Sequence, residues 1–145
     1  MELRDATRDD AEMLFAWTND PHVRRWSFSH EPIDWHTHLR WLDAVLADER
    51  HRLFIAVDDG TPVGQARLDR LEREEGVIDR IAVSIAPAAR GRGLGVALIL
   101  AACDLTDTVV EAEIIPTNER SSRAFAAAGF RVVSSTDAKV TMRRP

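Results

Sequence analysis

The sequence predicts one α/β (α+β) domain built on a mixed, mostly antiparallel sheet of six to seven strands flanked by four helices. Three observations carry this prediction. Three strand-like segments follow one another at mid-chain with only short turns between them, the pattern of antiparallel neighbours. A glycine-rich segment then joins the third of these strands to an apolar, helix-like run. At 145 residues, 45% hydrophobic and 30% charged, the chain has material for one compact core and little for a second.

Glu2 to Ala6 reads as a short strand. Thr7-Arg8-Asp9-Asp10 has the form of a capping box, so a helix follows, with Ala11, Leu14, Phe15 and Thr18 at helical spacing until Asn19-Asp20-Pro21 breaks the pattern. Trp35, Leu39, Leu42 and Leu46 mark one face of a second helix. Between the two, Pro21 to Pro32 mixes Trp26 and Phe28 with His22, His30, Arg24 and Arg25, a composition suited to a loop covering a site. Arg52 to Val57, the turn Asp58-Asp59-Gly60-Thr61 and Pro62 to Leu71 form a hairpin, and Val77 to Ile85 is the third strand, apolar on both faces towards its end. Asp79 and Arg80 read as surface residues on it. A helix from Arg92 to about Leu105, a strand from Val109 to Ile115, a helix from Asn118 to Ala128 closed by Gly129, and strands near Phe130 to Ser134 and Lys139 to Met142 complete the order.

Composition excludes several function classes. Asp and Glu total 24 against 19 Lys and Arg, a net charge of -5, so the chain lacks the basic excess that gives general affinity for nucleic acid. The longest apolar run, Val96 to Cys103, is far below the roughly 20 residues that cross a bilayer, and the first residues are too polar for a signal peptide. The expected setting is cytoplasmic, with no membrane and no nucleic-acid partner. Cys103 is the only cysteine and lies in that apolar run, so disulfide scaffolds and paired-cysteine zinc sites are excluded and a buried thiol is expected. His36 and His38, two apart on a helix, point to nearly opposite sides, and no metal site is expected.

The segment Arg90-Gly91-Arg92-Gly93-Leu94-Gly95 follows a strand and opens a helix. Backbone N–H groups freed by the glycines face the same way as the helix's unpaired amides and its positive dipole end, a geometry that binds a diphosphate. Neither the dinucleotide pattern nor the P-loop pattern is met, because Val96 and Leu98 stand where a third glycine would be and no Gly-Lys-Ser/Thr follows.

Arg90-x-x-Gly93-x-Gly95 after Val83-Ser84-Ile85-Ala86-Pro87, followed by Asn118-Glu119-Arg120-Ser121 through Ala128-Gly129-Phe130, resembles the two cofactor motifs of the GNAT superfamily of N-acetyltransferases, in the right order and over nearly the whole chain. The resemblance implies the GNAT fold, with strands 4 and 5 splayed to admit the pantetheine arm of acetyl-CoA, and no metal. It implies transfer of the acetyl group to a primary amine by direct attack through a tetrahedral intermediate. The backbone of Val83 and Ile85 would bind the arm and polarise the thioester carbonyl. The loop Arg90, Gly91, Arg92, Gly93, Leu94 and Gly95 would hold the pyrophosphate, while Asn118, Ser121 and Phe125 would contact the cofactor from the other side.

Attack on a thioester requires a neutral amine, and hence a base. Glu111 and Glu113 share one strand face, and Glu113, five residues before Asn118, stands where similar N-terminal acetyltransferases carry a base glutamate. Ser84, near the expected splay, could relay a proton or donate to the tetrahedral intermediate. The relatives' general-acid tyrosine, seven residues after the asparagine, is Phe125 here, and the chain contains no tyrosine at all. A catalytically weak acetyl-CoA-binding module is therefore one alternative.

For the acceptor, Trp17-Thr18-Asn19-Asp20-Pro21-His22-Val23-Arg24-Arg25-Trp26 is loosely similar to sugar-nucleotide N-acetyltransferases of the pseudaminic-acid type. That resemblance implies stacking by Trp26 or Phe28, phosphate pairing by Arg24 or Arg25, and hydrogen bonds from His30 or Asn19 to a nucleotide-linked amino sugar. The same early pattern occurs in ribosomal-protein N-terminal acetyltransferases, so the expected partner is a small-molecule or peptide amine. A monomer and a homodimer both stay open.

Overall fold

In the computed structural model, which describes residues 1–145, the strands are β1 (Glu2–Asp5), β2 (His51–Asp58), β3 (Thr61–Arg73), β4 (Gly76–Ile85), β5 (Val109–Ile114), β6 (Arg131–Ser135) and β7 (Val140–Arg144). They form one seven-stranded sheet in the order β1-β2-β3-β4-β5-β7-β6. Only β4 and β5 run parallel; every other pairing is antiparallel. The connection between these two is the glycine loop and helix α4 (Leu94–Cys103), the crossover that a parallel pair requires.

The helices divide between the two faces of the sheet. α4 and α5 (Glu119–Ala127) cover one face, where Leu98, Ile99 and Phe125 pack on Phe54, Ala66, Leu68, Ile81 and Ala112. α1 (Ala11–Thr18) and α3 (Trp35–Ala47) cover the other, with Leu14 and Leu42 on Leu53 and Ile55 and with Trp41 beside Arg67 of β3. The apolar α4 contains Cys103, which is buried and whose thiol pKa is pushed up by that burial. No helix is long and apolar enough to cross a membrane.

Two expectations are corrected here. The stretch after Pro21 is not wholly loop, because a fifth helix, α2 (Pro21–Arg25), stands at its start, capped by the Asp20 carboxylate accepting from the His22 and Val23 N–H groups. Proline at the first helical position is pre-set for a helix, so Asp20-Pro21 starts one element as it ends another. Asp79 is not a surface residue but 1% exposed, and it accepts from the hydroxyls of Thr106 and Thr108. These bonds fasten the loop ahead of β5 to β4 beside the first rungs of their pairing.

Candidate active site

The parallel pairing of β4 and β5 spans only Ile78 with Val109, Asp79 with Val110 and Arg80 with Glu111. Beyond that rung β4 continues to Ile85 and β5 to Ile114, unpaired with each other. On its other side β4 stays on β3 as far as Ile85 opposite Gly64. The Ala86 N–H donates to the Val63 carbonyl at 2.8 Å. Alternation along an antiparallel ladder then directs the backbone groups of Ser84 and Ala82 towards β3, and those of Val83 and Ile85 into the gap on the β5 side. β3 can follow because residue 64 is glycine, where a Cβ would lie 2.5 Å from the Ser84 carbonyl oxygen.

The gap leads to the glycine loop. Gly91 and Gly93 have φ of 79° and 71°, conformations that L side chains rarely adopt, and Gly93 is the N-cap of α4. A Cβ at Gly91, Gly93 or Gly95 would meet nothing within 4 Å, so the loop shows bare backbone to open space ahead of the helix N-terminus. Leu94 opens α4 and packs against the main core. The two arginines of the loop already have partners. Arg90 donates to Asp20 at 2.7 Å and Arg92 to Asp58 at 3.1 Å.

On the face carrying α1 and α3, a cavity of about 350 Å³ opens beside the gap. Ala82, Val83 and Ser84 form its floor with Gln65 and Arg67, and Arg24, Thr37 and Trp41 stand in its walls. Asn19 and Arg24, expected to contact an acceptor, are committed instead to the fold. Asn19 exchanges two hydrogen bonds of 2.8 Å with the Ile33 backbone. Arg24 donates to the carbonyls of Thr18, Ser29 and Glu31. Trp26 is half-buried under the Arg25 guanidinium, while Phe28 and His30 lie exposed on the loop after α2. Trp41 and Gln65 were not singled out in the sequence. The signal for Gln65 is its pairing with Ser84, which only the β3–β4 register reveals.

The two carboxylates of β5 have different surroundings. Glu111 is 2% exposed and is held by Arg73 at 2.9 Å and Arg143 at 3.1 Å, with Arg80 at 3.5 Å. Burial pushes its pKa up, but the hydrogen bonds from Arg73 and Arg143 outweigh it and keep the group below the ordinary carboxylate range. Glu113, two residues past the last shared rung, is 16% exposed and lies between Arg80 Nε at 2.8 Å and Lys139 Nζ at 2.5 Å. It faces the same side of the sheet as Ala82 and Ser84, by the register Arg80 with Glu111 and the alternation along both strands.

Residues 1–131 match the family model of the acetyltransferase (GNAT) domain. The chain belongs to the GNAT acetyltransferases. It is 29% identical to an aminoglycoside N(6')-acetyltransferase type 1 of Klebsiella pneumoniae and to one of Serratia marcescens, over 88% of this chain and 72% of each relative. Among solved structures it is similar to AAC(6')-Ib in complex with ribostamycin and coenzyme A, with a TM-score of 0.82 and 29% identity over 98% of this chain and 91% of that one. A spermidine N-acetyltransferase from Vibrio cholerae, in complex with coenzyme A and spermine, shares the fold at a TM-score of 0.82 and 18% identity, over 98% of this chain and 92% of that one. This chain is an acetyl-CoA-dependent N-acetyltransferase.

Helix α5 follows β5, the strand on the other side of the gap. Asn118 is the N-cap of α5, its Oδ1 accepting from the Ser121 N–H at 3.2 Å. Phe125, seven residues after Asn118, is 4% exposed and meets Phe130 edge-on with ring centroids 5.0 Å apart. It is part of the core that seats α5 on the sheet, rather than a side chain standing free in the cleft.

Proposed function

We propose that this GNAT domain acetylates a primary amine of a small acceptor bearing several amino groups, of the aminoglycoside kind, with Glu113 as the base. The observation that carries this reading is the cavity of about 350 Å³ whose floor, Ala82 to Ser84, is also the wall of the β4–β5 gap. An acceptor seated there has its amine beside the strand whose free backbone groups point into the gap. The volume suits one amino-sugar ring or a short polyamine. It does not suit a nucleotide-linked sugar, and Arg24, one of the two arginines expected to pair with the phosphate of such an acceptor, is bound to backbone carbonyls. The aminoglycoside acetyltransferases among the relatives support the same choice.

The site fits acetyl-CoA. Open space over the glycines of residues 90–95 receives the pyrophosphate on backbone N–H groups at the start of α4, and the unpaired edge formed by Val83 and Ile85 receives the amide-bearing arm. When bound, the co-substrate supplies an acetyl group activated as a thioester. One N–H of Val83 or Ile85 donates to the thioester carbonyl oxygen as negative charge develops there, a role worth about 2.7–4 kcal/mol in other acyl-transfer sites. Glu113 accepts the proton of the acceptor's ammonium and leaves a neutral amine. The Ser84 hydroxyl, in the cavity floor, donates a further hydrogen bond or relays a proton. Asn118 and Ser121 border the arm from the start of α5. With Phe125 in place of tyrosine the departing thiolate takes its proton from water, which a thiol of ordinary pKa near 8.5 permits.

A thiol-release assay with acetyl-CoA tests the reading against kanamycin, spermine, an N-terminal peptide and a nucleotide-linked amino sugar. Saturable release with kanamycin or spermine, and none with the last two, is the expected result. Release with the peptide or the sugar nucleotide alone overturns the choice of acceptor.

A further inference from the structure

Lys139 is the only lysine of the chain, and its Nζ lies on the carboxylate of Glu113. The turn that carries it is ordered. The Thr136 N–H donates to the Lys139 carbonyl at 2.9 Å, and the Thr136 hydroxyl accepts from the N–H groups of Ala138 at 3.2 Å and Lys139 at 3.1 Å. In the β5–β7 ladder Glu113 faces Thr141, so Lys139, two residues before Thr141 and on the same face, reaches Glu113 along the diagonal. The lysine side chain is still 46% exposed, free to leave the carboxylate without unpacking anything. The other cation on Glu113 is the Arg80 guanidinium, which stays protonated and is no nucleophile. Thus the one side-chain amine in the protein stands where the ammonium of an acceptor must stand for Glu113 to take its proton.

We infer that Lys139 is a built-in acceptor: a site of self-acetylation, and a competitor that an external amine displaces from Glu113. The inference rests on the reading of Glu113 as base. In the step, the Lys139 ammonium gives a proton to Glu113. The neutral Nζ forms a bond to the acetyl carbonyl carbon, the carbon–sulfur bond breaks, and the nitrogen loses its second proton to solvent as the amide forms. Coenzyme A departs as a thiolate that takes a proton from solvent, and Glu113 releases the first proton to solvent. The product is N-acetyl-Lys139 and coenzyme A. The modification removes the lysine's charge, so Arg80 remains the single cation on Glu113 and the competition for the carboxylate ends.

The test is incubation of the full chain with acetyl-CoA and no acceptor, followed by intact mass and peptide mapping at several protein concentrations. Lys139→Arg and Glu113→Gln are treated alongside. One acetyl group is expected on Lys139, at a rate per chain that does not depend on protein concentration and that falls when spermine or kanamycin saturates the site. Lys139→Arg gains no side-chain acetyl group, and Glu113→Gln acetylates Lys139 at least about 100-fold more slowly. An unmodified Lys139, an equal rate in Glu113→Gln, or a rate proportional to protein concentration overturns the inference. If Lys139 stays unmodified while amine-dependent thiol release proceeds, only this inference falls. If neither occurs, the reading of the cleft falls with it.

Discussion

Arg90 donates to Asp20 at 2.7 Å, and through that contact the glycine loop before α4 is tied to the N-cap of α2. The same Asp20 carboxylate accepts from the His22 and Val23 N–H groups, so one side chain holds both the glycine loop and the start of the segment beside the cavity. Its pKa is held below the ordinary 3.8 chiefly by the Arg90 hydrogen bond, against the smaller opposing effect of burial. A depressed folded-state pKa adds stability that is fully present above the unfolded value and is lost as the pH falls through the folded one. Asp20→Ala should therefore lower stability by about 0.5–2 kcal/mol at neutral pH and raise KM for the acceptor. Thermal melts of the two proteins taken from neutral pH downward should begin to approach each other below the ordinary 3.8 and converge once the pH lies below the folded-state value. Equal melting temperatures at neutral pH would show that the contact contributes nothing.

Gly95→Asp separates binding from folding. A Cβ at Gly95 meets nothing, and an acidic residue in the first turn of α4 is favourable to the helix by about 0.3–1 kcal/mol. The same charge opposes a pyrophosphate. The expected outcome is an unchanged or raised melting temperature with acetyl-CoA binding lost in calorimetry. Unchanged binding in the folded variant would remove the pyrophosphate from this loop.

Gly64→Ala places a methyl group 2.5 Å from the Ser84 carbonyl oxygen, an atom of the strand backbone that cannot swing aside. β3 and β4 must separate beside the cleft. A loss of about 1–3 kcal/mol is expected from overpacking, with melting lowered by about 3–10 °C. Turnover should drop by more than the folded fraction does. Wild-type stability would mean that the two strands yield at no cost.

Much of the fold was legible because local signals agreed with one another. The capping box at Thr7 and Asp10 forms as the sequence implies, on a short 3-10 turn that runs into α1. The antiparallel run β2 to β4 and the glycine loop were equally plain, since turn chemistry and period pointed the same way. What the sequence did not show depends on contacts between distant residues. Asp79 looks like a surface carboxylate until Thr106 and Thr108 are brought to it across the crossover. Asn19 and Arg24 have the chemistry of ligand-binding side chains, yet loop carbonyls and N–H groups claim them first. The resemblance to N-terminal acetyltransferases singled out Glu113, but its two cations come from β4 and the β6–β7 turn and leave no mark in the local sequence. Asp20-Pro21 was misread because a helix breaker and a helix start use the same residues.

The role of Glu113 as base is tested most directly by kcat for Glu113→Gln at saturating acceptor, with acetyl-CoA affinity determined on the same sample. Glutamine keeps the shape and cannot take a proton. Turnover should fall by about 10²–10⁴-fold with cofactor affinity nearly unchanged. A fall of less than about threefold would contradict the assignment and place the proton on water or Ser84 instead.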